Sequence, residues 1–193
     1  MKYKNKSYGK DEIGGGSFED DVFEHCRFSG QDLNFVSFSR CKFNTCDLSG
    51  CIFNITSFSE CVFPGSKLSN LDFSGVSLKS CDFSESLMKN CIFQKLKNGS
   101  KSVKAKLDLR TCYFENVRME SSIFVLSNLE KVNFSGSDLS GVVFEMCDLR
   151  KADFRGSRLD GINFSDCKLE GAILDIQGFL SYGKSKGFTL DSS

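Results

Sequence analysis

FSRCKFNTCDLSGCIFNITSFSECVF, residues 38–63, places a phenylalanine or leucine at every fifth position: Phe38, Phe43, Leu48, Phe53, Phe58 and Phe63. The period runs outward from this stretch, from Phe18 to Phe93 without a miss. It resumes one residue out of phase and continues from Leu109 to Leu174. In all there are 30 units, whose central residues are 17 Phe, 11 Leu and 2 Met. A period of five belongs neither to a helix, at ~3.6 residues per turn, nor to a strand, at ~2. A repeat this short and this sustained specifies a solenoid, in which no unit buries its own large residue and only stacked coils do.

Two residues before each central residue lies a second restricted position. All ten cysteines fall there (Cys26, Cys41, Cys46, Cys51, Cys61, Cys81, Cys91, Cys112, Cys147 and Cys167), and most other occupants are Ser or Val. The position reads as a small, mostly apolar inward site. Its one charged occupant, Asp21, lies near the N-terminal end. Two residues after the central residue, glycine occurs nine times and Ser, Glu, Asn or Asp together nine times more. Such residues suit a tight turn, where glycine supplies positive φ without steric cost. Each unit is therefore a short extended piece followed by a corner.

LDFSG (71–75), CDFSE (81–85), VNFSG (132–136), SDLSG (137–141), ADFRG (152–156) and CKLEG (167–171) carry a resemblance. In them the chain resembles the pentapeptide-repeat family over residues 16–176. The resemblance implies an all-β fold, a right-handed quadrilateral β-helix with four units per coil. Thirty units then make about 7.5 coils, and at ~4.8 Å per coil a rod of roughly 36 Å. Expected boundaries are an N-terminal cap at 1–15, the β-helix at 16–176 and a C-terminal cap or tail at 177–193. Four units per coil also account for the alternation of Phe with Leu or Met from Leu109 to Leu169, with Phe on two opposite faces. The same geometry stacks Cys41, Cys61 and Cys81 in one column. Their β-carbons would lie ~4.8 Å apart, more than a relaxed disulfide prefers. The cysteines are read as reduced small hydrophobes in a protein of the cytoplasm.

One irregularity interrupts the period: KLKNGSKSVKAK, residues 95–106. If residues 96–106 are extruded, Lys95 joins Leu107 and the Phe faces keep register. Two further units with a bulge would also preserve the Phe alternation, but would place Asn98 in the core, so extrusion is favoured. Formal net charge is zero, unevenly spread. Residues 18–93 carry ten acidic and six basic residues, and residues 107–176 carry twelve and eight, a body of net −8. Residues 94–106 hold five lysines and no acid. Within that basic loop Lys97, Asn98, Lys101, Lys104 and Lys106 are candidate partner-binding residues.

Catalysis finds little support. His25 is the lone histidine and reads as an outward residue beside Glu24, with no nucleophile in evidence. NGSKS lacks the spacing of a phosphate-binding loop. No catalytic, cofactor-binding or metal-binding residues are assigned, and no cofactor is expected. Tryptophan is absent and outward aromatic residues are few, so direct nucleic-acid binding is not expected. No apolar run approaches the ~20 residues of a membrane span, and no signal sequence is read at the N-terminus. In length, continuous repeats and acidic body the chain resembles the Qnr/MfpA/McbG topoisomerase-protecting group. That resemblance implies a DNA-mimicking protein that binds DNA gyrase or topoisomerase IV and protects it from quinolones or peptide toxins. The alternative is a generic scaffold or regulatory binder with no topoisomerase role. Ile176, Phe179, Leu180 and Tyr182 crowd the last coil and are candidates for an end cap or a homodimer contact.

Overall fold

The computed structural model describes residues 1–9, 12–95 and 106–191. The chain winds into a right-handed, four-faced β-solenoid of about eight turns, in which every strand pairing is parallel. The corners set this path. Two residues after the central one, the backbone enters the left-handed region in nearly every unit, as at Gly30 (φ +70°), Gly156 (φ +69°), Asn70 (φ +58°) and Asn116 (φ +54°). Glycine adopts this conformation freely and Asn tolerates it better than most residues. Gly75 departs from the rule: its φ lies outside that region, and Val76 N–H donates to the Phe73 carbonyl at 3.1 Å to close the turn.

A twenty-residue register sets like on like. Face A carries a continuous aromatic stack of Tyr3, Phe23, Phe43, Phe63, Phe83, Phe114, Phe134 and Phe154, with successive ring centroids 4.9–5.5 Å apart. Face C, opposite, carries Phe53, Phe73, Phe93, Phe124, Phe144 and Phe164. Rings of A and C meet edge to face across the core, Phe114 and Phe124 at 6.3 Å and 88°. Face B begins with Tyr8 and Phe28 and continues with Leu48, Leu68, Met88, Met119, Leu139 and Leu159. Face D runs from Phe18, Phe38 and Phe58 to Leu78, then Leu109, Leu129 and Leu149. Each fully buried Phe contributes about 2–3 kcal/mol from area alone, and each ring pair about 0.5–1.5 kcal/mol more.

The small inward position does more than fill space. Ser66 Oγ donates to the Phe43 carbonyl at 2.6 Å, Ser137 to Phe114 at 2.8 Å and Ser157 to Phe134 at 2.7 Å. The thiols of Cys61, Cys81 and Cys147 point at the equivalent carbonyls of Phe38, Phe58 and Phe124, at 3.4–3.5 Å. The site thus rewards a short side chain that can donate one hydrogen bond, which is why Cys, Ser and Thr56 share it. All ten cysteines are free thiols; nine are buried and Cys167 is half-buried.

Both ends extend what the repeat count anticipates. Lys2–Lys4 pairs with Val22–Glu24, and Tyr3, Tyr8 and Ile13 continue the five-residue period toward the N-terminus. Inward-pointing Asp21 is buried and paired with the Met1 ammonium. At the other end the period stops at Leu174 and a helix, Ile176–Ser185, follows. Asp175 caps it, its carboxylate accepting from Gly178 N–H at 2.7 Å. The fold is all-β apart from this one helix among the described residues.

Candidate functional site

The insertion between faces C and D is the first candidate. Before it, hydrogen-bonded rungs are 20 residues apart; across it they are 31 apart, so eleven residues are taken up. Faces A, B and C carry straight across through Asp82–Tyr113, Leu87–Arg118 and Ile92–Ile123. Face D does not: Val76–Lys79 ends one ladder and Leu107–Asp108 begins another. Phe114 stacks on Phe83 at 5.3 Å. Two additional units would have carried Phe114 half a turn onward, over Phe93, so extrusion is the arrangement adopted. Lys97, Asn98, Lys101 and Lys104 lie outside the described residues. Lys106 and Lys95 flank the insertion at a cleft of about 720 Å³ that Ile55, Val76 and Leu78 also line.

Arginine and aspartate on either side of one central residue pair with each other: Arg110 with Asp108 and Arg150 with Asp148 at 2.7 Å, and Arg155 with Asp153 at 2.6 Å. The arginine hydrogen bond is the leading cause that holds each of these three carboxyls below its ordinary range. Arg40 spans Glu19 and Asp20 at 2.5 and 2.8 Å. Exposed pairs of this kind contribute about 0–1 kcal/mol, so their main effect is local neutralisation. On face C and its corner with D, Asp32, Asp72, Glu145 and Asp166 make no ion pair among the described residues, and neither do Asp82, Glu85 and Glu115 on face A or Asp47 on face B. The corner between C and D departs from the polar rule, with Phe35, Ile55, Leu126 and Met146 in its left-handed positions. A sequence reading that looks for glycine at corners passes over them.

The four C-terminal candidates divide. Tyr182 packs on Phe164 with ring centroids 5.4 Å apart, Leu180 is half-buried, and Gly178 sits against Leu159 and Leu174, closing the core. Ile176 and Phe179 point away, 82% and 66% exposed. The helix and the segment after it enclose an apolar cleft of about 910 Å³, lined in part by Phe179, Phe188 and Leu190. His25 lies on an exposed corner, its Nδ1 2.7 Å from Thr45 Oγ1. Among the described residues no three His, Cys, Asp or Glu side chains converge as a metal site. No helix among them is long and apolar enough to cross a membrane.

The repeat geometry has a counterpart in known sequences. A family model described as pentapeptide repeats (8 copies) matches residues 22–54 and 56–94, and one described as a pentapeptide repeat region matches residues 107–175. The chain is a pentapeptide-repeat protein. Among solved structures, this pentapeptide-repeat rod is similar to full-length QnrB1, a plasmid-mediated fluoroquinolone resistance protein, at 21% identity and TM-score 0.48, over 95% of this chain and 96% of that one. It is also similar to HetL, a pentapeptide repeat protein involved in heterocyst differentiation regulation in the cyanobacterium Nostoc sp. strain PCC 7120. There the identity is 18% and the TM-score 0.38, over 91% and 89% of the two chains. A pentapeptide repeat protein of the Arabidopsis thaliana thylakoid lumen matches at 17% identity and TM-score 0.23, over 84% and 74%. No curated protein matches. Relatives this distant share the repeat and do not choose a partner for the rod.

Proposed function

We propose that this protein is a non-enzymatic binding rod whose partner is a type II topoisomerase, DNA gyrase or topoisomerase IV, and that it protects the enzyme from a quinolone or peptide toxin. The observation that carries this reading is the separation of charge: a body of net −8, with five lysines confined to residues 94–106. A rod of about eight turns is ~38 Å long at the inter-strand spacing, a fair match to a basic groove that accepts duplex DNA. Electrostatic complementarity of this kind speeds encounter and weakens with salt. Lysines would be misplaced in a mimic of DNA, so Lys97, Lys101, Lys104 and Lys106 are assigned to an acidic part of the partner.

The test is a gyrase supercoiling assay with and without ciprofloxacin over a titration of the protein. The intact protein is expected to restore supercoiling under the drug. The variant lacking residues 96–106 is expected to keep its melting temperature within a few degrees, because the ladders on faces A, B and C already bridge the insertion. Its protection should fall about tenfold or more. Deletion that unfolds the rod would refute the separation of fold from loop, and an intact protein with no effect on gyrase would refute the topoisomerase reading.

A second reading, a scaffold for a different protein, draws on the arginine–carboxylate pairs of faces A, B and D, which cancel much of the negative field a DNA mimic needs. Under either reading the outward Ile176 and Phe179 favour a homodimer through the C-terminal end. Light scattering at tens of micromolar should then give twice the chain mass, and Phe179→Ser should halve it; a monomer mass for the unaltered protein would refute the dimer.

A further inference from the structure

Among the described residues nineteen non-glycine residues occupy the left-handed corner conformation, and the four large apolar ones, Phe35, Ile55, Leu126 and Met146, all lie on the corner between faces C and D. The other non-glycine corners hold Asn, Asp, Ser, Thr, Glu, His, Lys or Arg. Apolar residues have two reasons to be absent there. The conformation favours Gly, Asn and Asp, and a β-branched residue such as Ile55, at φ +53°, is a clear outlier in it. The position also points at solvent: Phe35 is 58% exposed and Ile55 68%. Neither residue supports the core. Strain and apolar exposure retained together mark a surface held for contact. Ile52 and Ile123, on the adjoining face C, widen the stripe and are 58% and 37% exposed.

Charge says what the stripe contacts. Interspersed with it are Asp32, Asp72, Glu145 and Asp166, without ion pairs among the described residues. Lys95 and Lys106, which flank the insertion at the cleft that Ile55 also lines, are the two Lys or Arg residues at the described outward positions of this face and corner, against these four carboxylates. A second copy would bring the same carboxylates against themselves, and a nucleic acid would be repelled. We propose that face C and its corner with face D form a docking surface for a basic polypeptide segment of another protein, with apolar side chains seated on Phe35, Ile52, Ile55, Ile123, Leu126 and Met146. From Phe35 to Met146 the stripe crosses five rungs, ~24 Å, enough for about seven extended residues. The proposal rests on the protein being a binding rod and deepens that reading; it does not require the partner to be a topoisomerase.

The probe is a fluorescein-labelled peptide of alternating arginine and leucine, followed by anisotropy at low and physiological salt. Its counterpart of alternating glutamate and leucine is the control. The intact protein should bind the basic peptide at least tenfold more tightly than the acidic one. Phe35→Asn with Ile55→Asn should weaken binding about tenfold while keeping or raising the melting temperature, since Asn accepts the left-handed corner. Asp32→Asn with Asp72→Asn should remove much of the salt dependence. Tyr113→Ser, which removes an exposed ring on opposite face A, should leave binding unchanged. Equal affinity of the intact protein and the Phe35/Ile55 variant, a loss in Tyr113→Ser as large as theirs, or no preference for the basic peptide would each overturn the proposal. The gyrase assay separates the two readings. If the peptide result holds and gyrase is untouched, the topoisomerase partner falls and the docking face stands. If gyrase is protected and the intact protein shows no preference for the basic peptide, the topoisomerase reading stands and the docking face falls.

Discussion

Phe73→Asp is expected to yield no soluble folded protein. Phe73 is 1% exposed, lies between Phe53 and Phe93 with centroids at 5.8 and 4.7 Å, and meets Phe83 edge to face at 6.2 Å. Removing such a ring costs about 3–5 kcal/mol. Placing a carboxyl there costs several kcal/mol more, whether it stays charged or is forced to take a proton. Against a total stability of about 5–15 kcal/mol the sum leaves no folded state. Nearest-neighbour stacking sharpens the effect, because a failed rung mid-rod uncouples the coils on either side. Phe73→Leu, which places a residue found in the same column position on faces B and D, should cost about 1–3 kcal/mol and remain soluble. Circular dichroism and the soluble yield read both outcomes. A soluble aspartate variant that melts with the unaltered protein would contradict a core built on stacked rings.

The thiols give the second large effect. Burial pushes Cys46, Cys51, Cys91 and Cys112 up to about 12 and Cys81 to about 11, from an ordinary 9.0. The thiolate is the reactive form, and near pH 8 a thiol that ionises at about 12 instead of 9.0 holds about a thousandfold less of it, before access is considered. Native protein should therefore react with Ellman's reagent only slowly, starting at half-buried Cys167, and denatured protein should show ten free thiols without reductant. These folded-state values lie above the unfolded one, so the thiols add stability that is complete below about pH 9. It is lost as pH rises from about 9 toward about 12, because the unfolded chain ionises first. Each such thiol removes about 1.4 kcal/mol per pH unit in that window. The melting temperature should stay level from about pH 7 to about pH 9 and then drop steeply. Cys91→Ser with Cys112→Ser should soften the drop. Rapid native labelling of more than one or two thiols, or an alkaline profile without the drop, would show the column to be open to solvent.

What could be read from the sequence was whatever repeats in every unit. Large residues at period five, small residues two before and turn residues two after gave a coil and the position of the insertion, and the resemblance to pentapeptide repeats implied its four faces. Tyr3, Tyr8 and Ile13 escaped because their rungs lie at the open end, where the inward site need not be small and apolar: Lys6 holds it in one unit, its ammonium 4.4 Å from the Tyr8 ring. The hydrogen-bonding role of the cysteine and serine site was hidden as well, since the acceptor is a backbone carbonyl one coil away, 23 residues earlier in the chain. The terminal helix carries no repeat, and its cap, Asp175, follows directly on the last unit, where a repeat scan stops. The apolar corner was missed for the opposite reason: Phe35 and Ile55 violate the unit's rule, and a periodic reading averages violations away.

The change in register from 20 to 31 residues has a consequence for how such a chain can change. Three faces hold the two halves of the rod together without help from the segment that leaves between Lys95 and Lys106, so its length and composition are not constrained by the fold. Doubling a flexible connection adds only about 0.6 kcal/mol of closure cost. A foreign hairpin, epitope or catalytic peptide grafted at this joint would be displayed from a stiff support whose own folding instructions stay intact. Natural variation can use the same port, rewriting the inserted segment while every rung above and below remains in place.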